Sequence, residues 1–98
     1  MPMYFFSFHS IPIKPEDKLE FGGAYVNCWI QDSSIHDAEE RARTAIEENE
    51  WSITDQDNES YETTRDHWIN DDQLEYYDQA LIDREVWVFN IYPNEDSN

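Results

Sequence analysis

The residues of this chain that could do chemistry are concentrated in one acidic stretch, residues 47–62. The stretch carries seven carboxylates and neither lysine nor arginine. Carboxylates at this density attract cations, which are either metal ions or the lysine and arginine side chains of another protein. The alternation Trp51-x-Ile53 within the stretch predicts that it is anchored to a core. We therefore predict a surface of fixed negative charge instead of a loose acidic tail.

A calcium site is the first chemistry that this spacing suggests. The pattern Asp55-x-Asp57-x-Glu59 is typical of the start of a calcium loop, and Asp66 falls at its twelfth position. However, the sixth position is Ser60 instead of the glycine that the sharp turn needs, and the closing residue is aspartate instead of a bidentate glutamate. The three histidines also lack the spacing of a zinc site. The sequence therefore predicts no metal site and no other cofactor.

Motifs for catalysis are absent from the sequence. The two glycines, Gly22 and Gly23, are adjacent, so the chain has no glycine-rich phosphate loop. No nucleophile motif is present, and no pair among the 23 acidic residues stands out as an acid–base pair. We predict that the protein is not an enzyme.

Binding of a basic protein partner is the function that the acidic stretch favours. A fixed array of carboxylates imitates an anionic polymer and could fill the cationic cleft of a protein that grips nucleic acid. Aromatic side chains between the acids would supply buried anchors. The predicted contact residues are Glu47, Glu48, Glu50, Trp51, Asp55, Asp57, Glu59, Tyr61, Glu62, Trp68, Asp71, Asp72, Glu75 and Tyr76. The alternative is that these acids only make the protein soluble.

The net charge of −17 is unevenly distributed along the chain. Residues 1–30 carry three acids and two bases, whereas residues 31–98 carry twenty acids and four bases. Nucleic acid and anionic membranes repel such a protein, so neither is a predicted direct partner. A basic protein surface would be attracted, and the association would be fast and sensitive to salt.

The cellular compartment follows from cysteine usage and hydropathy. Cys28 is the single cysteine, so no internal disulfide can form, as is usual in a reducing compartment. No apolar run approaches the 18 residues or so of a membrane span. The first residues lack the basic and apolar regions of a signal peptide. We predict a cytoplasmic protein without a membrane segment.

The pattern of apolar residues predicts a folded α/β domain. Aromatic residues make up 15% of the chain, which is untypical of disorder. Ser34 and Asp37 form a capping box at the start of one helix, and a second helix is predicted over residues 74–83. The last strand is apolar on both faces at its start, which predicts a central position in the sheet. The predicted strands cover residues 3–8, 24–30, 51–54 and 85–92.

The order ββαβαβ predicts an α+β fold. Strand–helix–strand connections prefer right-handed crossovers, so we expect both helices on one face of a four-stranded sheet. This is a two-layer α/β sandwich with a ferredoxin-like arrangement. We expect residues 1–93 to form a single domain and residues 94–98 to form a frayed acidic tail. The uncovered face would expose Tyr25 and Trp29 and could serve as a homodimer or partner surface.

The chain resembles small acidic bacterial and phage proteins, and this resemblance favours the function of an inhibitor. Residues 37–51, residues 74–81 and the strand end Tyr92-Pro93 resemble small bacterial α/β proteins. In size and acidity the chain is similar to cytoplasmic immunity proteins that neutralise toxins and to phage-encoded nucleic-acid mimics. The resemblance transfers no site residues. It implies a stoichiometric inhibitor of a basic partner such as a nuclease toxin. The alternatives are a DNA-mimic inhibitor of a bacterial defence nuclease and a homodimeric domain whose acidity only solubilises it.

Overall fold

The computed structural model describes residues 1–56 and 60–94. The strands are β1 (Met3–Pro12), β2 (Phe21–Gln31), β3 (Trp51–Gln56), β4 (Tyr61–Thr63) and β5 (Glu85–Pro93). The helices are α1 (Pro15–Glu20), α2 (Ile35–Glu48), α3 (Arg65–Trp68) and α4 (Leu74–Asp83). Along the described residues, the elements follow the order β1-α1-β2-α2-β3-β4-α3-α4-β5.

The described strands form one antiparallel sheet in the order β3-β1-β2-β5. The short strand β4 also pairs with β1, opposite Met3–Phe5, while β3 pairs with the other half of β1. The strands β1 and β2 are therefore central. The last strand, β5, lies at one edge of the sheet, so its predicted central position is wrong.

The predicted four-stranded ββαβαβ sandwich with a ferredoxin-like arrangement is wrong, although the α+β class is right. The helix α2 connects β2 to β3, which lie on either side of β1 instead of next to each other. The helices also divide between the two faces of the sheet, with α2 on one and α3 and α4 on the other. Both faces of the strands carry large apolar side chains, and each face needs its own cover.

The first core lies between the sheet and α2. Ser34 caps this helix, since its Oγ accepts a hydrogen bond from the backbone N–H of Asp37 at 3.1 Å. The helix then buries small and aliphatic side chains at helical spacing, namely Ala38, Ala42 and Ile46. They pack on one face of the two central strands, built from Phe6, Phe8, Ala24, Val26, Cys28 and Ile30.

The second core lies between the opposite face of the sheet and α3 and α4. It is mainly aromatic: the ring of Trp29 lies 5.1 Å from that of Phe5 and 5.3 Å from that of Trp68. Tyr77 and Ala80 of α4 close this cluster. Trp29 is fully buried, so the prediction that it lies on an open face is wrong.

Cys28 is expected to be unreactive while the protein is folded. The side chain is completely buried in the first core, and burial raises the pKa of its thiol. Because the thiolate is the reactive form, both accessibility and ionisation oppose attack. A chromogenic disulfide reagent should label no thiol in the native protein and one thiol per chain in guanidinium chloride. Rapid labelling of the native protein would contradict the described packing.

Candidate functional site: a carboxylate groove beside an edge strand

The structure distributes the predicted acidic contact residues over separate elements. Two of them, Glu47 and Glu48, end α2, and Glu50 lies in the turn that follows, where it forms an ion pair with Lys14 at 2.6 Å. The remaining described acids lie on β3, on β4 and around the start of α4, at Asp55, Glu62, Asp71, Asp72 and Glu75. All are exposed. Asp57 and Glu59 lie outside the described residues.

The predicted aromatic anchors mainly hold the cores together. Trp68 is buried, and its indole Nε1 donates a hydrogen bond to Thr63 Oγ1 at 2.8 Å. Trp51 packs against the first core, while Tyr61 and Tyr76 pack against the second. These side chains fix the scaffold, and Trp68 has no exposed surface to offer a partner.

A groove between α2 and β5 brings together acids that are far apart in the sequence. It has a volume of about 440 Å³. Its lining combines one side of α2 with the beginning of β5: Asp37, Glu40, Arg41, Thr44, Ala45, Glu48, Glu85 and Trp87. We call this the carboxylate groove. Its four carboxylates and one guanidinium give it a formal charge of −3.

The helical period of α2 positions the acids of the groove. Side chains three or four residues apart lie on the same side of a helix, and Asp37, Glu40, Thr44 and Glu48 follow that spacing. The side that carries Ala38, Ala42 and Ile46 is fixed against the sheet, so the acidic row is held beside β5. From Asp37 to Glu48 the row extends about 16 Å.

Arg41 is held through both terminal nitrogens of its guanidinium by groups of the protein itself. Its Nη1 donates hydrogen bonds to the Gln31 carbonyl at 2.8 Å and to Asp32 Oδ2 at 3.1 Å, and its Nη2 donates to Glu85. These bonds fix the start of β5 against α2. In contrast, Asp37, Glu40 and Glu48 are exposed, and none of them is in an ion pair with another described residue.

Replacing Arg41 with methionine is expected to raise the pKa of Asp32 toward the ordinary aspartate value of about 3.9. The Arg41 guanidinium now lowers the pKa of Asp32 through its hydrogen bond. Because the folded pKa is lowered, the ion pair stabilises the fold above the ordinary aspartate pKa. This stabilisation is lost as the pH falls through the folded pKa. Carbon-13 NMR titration of the Asp32 carboxyl group measures the change.

The pKa of Glu39 provides the control for that titration. The Gln56 amide, followed by Arg43, lowers the pKa of Glu39, and neither group is altered in the Arg41→Met variant. We expect the titration midpoint of Glu39 to stay unchanged. An unchanged midpoint for Asp32 would contradict the assigned role of Arg41.

The open end of the opposite sheet face carries a second, aromatic surface. His9, Tyr25 and Tyr92 form a cluster with ring centroids 5.0–5.8 Å apart. Both ring nitrogens of His9 are hydrogen-bonded, to Thr54 Oγ1 and to the Tyr92 hydroxyl. Tyr25 is 55% exposed, in agreement with the predicted open face. Within residues 1–56 and 60–94, α3 and α4 cover the part of this face around Trp29, and the end around Tyr25 is left open.

Sequence analysis found one member of the groove, Glu48, among its predicted contact residues. Asp37 and Glu40 could have been added from their helical spacing with Glu48, because all three lie on the side of α2 that carries no core residue. Glu85 and Trp87 could not have been predicted as members of the groove from the sequence. Their place beside α2 depends on β5 lying at the edge of the sheet next to β2, which no local pattern reveals.

Comparison with family models, curated proteins and solved structures found no match to the chain. Within residues 1–56 and 60–94, no three or more histidine, cysteine, aspartate or glutamate side chains lie close enough together to hold one metal ion, the groove included. None of the helices in this part of the chain is long and apolar enough to cross a membrane.

Proposed function

We propose that this chain is a non-enzymatic binding protein that docks a basic protein partner and neutralises it, with a nuclease toxin as the best-fitting class of partner. The observation that carries the proposal is the carboxylate groove, in which Asp37, Glu40 and Glu48 form a fixed and unpaired row beside β5. The lone buried Cys28 is compatible with the reducing cytoplasm, where an immunity protein would act.

Charge complementarity explains why the partner should be basic. The groove has a formal charge of −3 in a chain with a net charge of −17, so lysine and arginine side chains are attracted both from a distance and at contact. Arg41 is engaged by Asp32 and Glu85, so it does not neutralise the exposed row. Basic side chains of a partner can take that place.

A DNA-mimic inhibitor is the alternative within the same class. Duplex DNA presents one charge per about 1.7 Å, so a segment as long as the α2 row, about 16 Å, would carry roughly nine charges. The groove presents four carboxylates. A partner with a few well-placed basic side chains is therefore favoured over the long cationic channel of an enzyme that encloses duplex DNA.

A homodimer is the second candidate, and the open end of the sheet favours it. Tyr25, Asn90 and Ile91 are exposed there around one surface depression. The patch is small, because α3 and α4 cover the rest of that face. Sedimentation equilibrium tests this candidate, and a Tyr25→Asp substitution should dissociate such a dimer.

Capture of the partner at two salt concentrations tests the proposed function. The tagged protein is incubated with lysate at about 50 mM and about 500 mM NaCl, between which the screening of exposed charges increases strongly. We expect a basic protein that is retained at low salt and released at high salt. When purified, this partner should lose its activity in proportion to added protein, up to one equivalent. A neutral or acidic partner, or capture unchanged by salt, would contradict the proposal.

A further inference from the structure

The strand β5 has one unpaired edge within the described part of the chain. It is nine residues long and lies at the end of the sheet order, next to β2. Natural edge strands are usually protected against pairing by lysine, proline, a bulge or a covering helix. The strand contains no lysine, its single proline is its last residue, Pro93, and the carboxylate groove lies beside its beginning.

The hydrogen-bond register shows which backbone groups point outward. The backbone N–H of Gln31 donates to the carbonyl of Arg84 at 2.8 Å, which extends the β2–β5 register by one residue. This places the two residues at a hydrogen-bonded antiparallel position, although the Arg84 N–H itself donates to the Ala80 carbonyl. Such pairs recur at every second residue, which directs the backbone of Val86 and Val88 toward β2. The N–H and carbonyl groups of Trp87 and Phe89 therefore point away from the sheet.

The side chains beside this edge complete the site. Glu85 and Trp87 line the carboxylate groove, on the face of the sheet that α2 covers. The Trp87 indole Nε1 is buried without a hydrogen-bond partner among the described residues. Next to β5 the structure thus offers unpaired backbone groups at the edge and unneutralised carboxylates in the groove.

We propose that an extended, lysine- or arginine-bearing segment of the partner adds to the sheet as a strand beside β5. This proposal rests on the proposed function and specifies how the partner binds. Main-chain hydrogen bonds to Trp87 and Phe89 hold the segment. Alternate side chains of an added strand point to the same face, about 7 Å apart, so every second residue lies over the groove. Basic residues at those positions meet the acids of α2.

A second copy of this chain fits the edge less well than a basic segment. Pairing of β5 with itself would join two chains that each carry a net charge of −17 and a groove with a formal charge of −3. Repulsion between like charges opposes that arrangement. A positively charged strand would instead be attracted by the carboxylates of the groove.

The test uses two fluorescent peptides of about nine residues, the length of a long strand, with alternating lysine and threonine. The second peptide is N-methylated at its four central residues, which removes N–H donors on both edges but keeps the charge. We expect the protein to bind the methylated peptide at least about tenfold more weakly. With the unmodified peptide, amide exchange at Trp87 and Phe89 should slow at least about tenfold, while Val86 and Val88, already paired with β2, stay unchanged.

Three other results would contradict the addition of a strand to β5, and each points to a different way in which the edge or the groove is used. Equal affinity for both peptides, without slower exchange at Trp87 and Phe89, would show that the groove binds by charge alone; the proposed function would then stand. No binding of either peptide at low salt would count against the proposed function as well. Slow exchange at Trp87 and Phe89 that depends on protein concentration, without peptide, would show that a second copy occupies the edge.

Discussion

Replacing Trp29 with alanine should lower the free energy of unfolding by about 3–5 kcal/mol. The side chain is completely buried at the centre of the second core, where its ring meets those of Phe5, Trp68 and Tyr76. Typical domains are stable by about 5–15 kcal/mol, so this loss would remove much of the native state. Urea denaturation followed by far-ultraviolet circular dichroism measures the change.

Tyr25 is the matched control for this substitution. It lies on the same strand and the same face as Trp29 but is 55% exposed, so Tyr25→Ala should cost less than about 1 kcal/mol. A third variant, Trp29→Phe, keeps most of the apolar volume and removes an indole N–H that has no partner among the described residues. It should be more stable than Trp29→Ala. Equal stability of the Trp29→Ala and Tyr25→Ala variants would contradict the packing of α3 and α4 on the sheet.

Neutralising the row of acids on α2 should weaken binding of the lysine–threonine peptide by about tenfold. The variant is D37N/E40Q/E48Q, which keeps the size of each side chain and removes three exposed charges from the groove. Contacts between exposed charges are worth about 0.2–1 kcal/mol each, and a loss of 1.4 kcal/mol in total is tenfold in affinity. Fluorescence anisotropy at a series of salt concentrations measures both the affinity and its salt dependence.

The control variant removes the same number of charges from the acids that sequence analysis predicted elsewhere. E62Q/D72N/E75Q changes three exposed residues on β4 and around the start of α4, on elements other than α2 and β5. It changes the net charge of the protein by the same amount but leaves every carboxylate of the groove in place. Its affinity for the peptide should therefore fall by less than about threefold. If this variant lost more affinity than the groove variant, the contact would lie at the predicted residues and not in the groove.

Local patterns predicted individual elements well. The side-chain alternation of β2, the Ser34 cap and the extent of α4 are seen in the structure, because each depends on residues close in sequence. The strand β4 is only three residues long, which is too short for a clear alternation of apolar and polar side chains. The helix α1 begins at Pro15, and proline suits the first turn of a helix as well as a loop between strands, so this short helix has no distinctive local signal.

Most of the wrong predictions concern how elements distant in the sequence are arranged in space. Apolar residues on both faces of β5 predict a central position, but an edge strand also needs apolar residues on both faces when helices cover each side. Val86 and Val88 pack under α3 and α4, and Trp87 and Phe89 pack toward α2. The groove depends on this placement, so sequence analysis could predict an acidic surface but not where its charges converge.

The most direct test of the central claim, that a basic partner binds in the carboxylate groove, is an NMR titration of the four tryptophan indole N–H groups. Trp87 lines the groove, and its buried indole Nε1 has no hydrogen-bond partner among the described residues, whereas Trp29 and Trp68 lie on the other face of the sheet, in the core with α3 and α4. Adding the lysine–threonine peptide at low salt should shift the Trp87 indole resonance and leave those of Trp29 and Trp68 in place. A saturable shift of the Trp68 resonance with no change at Trp87 would contradict the account.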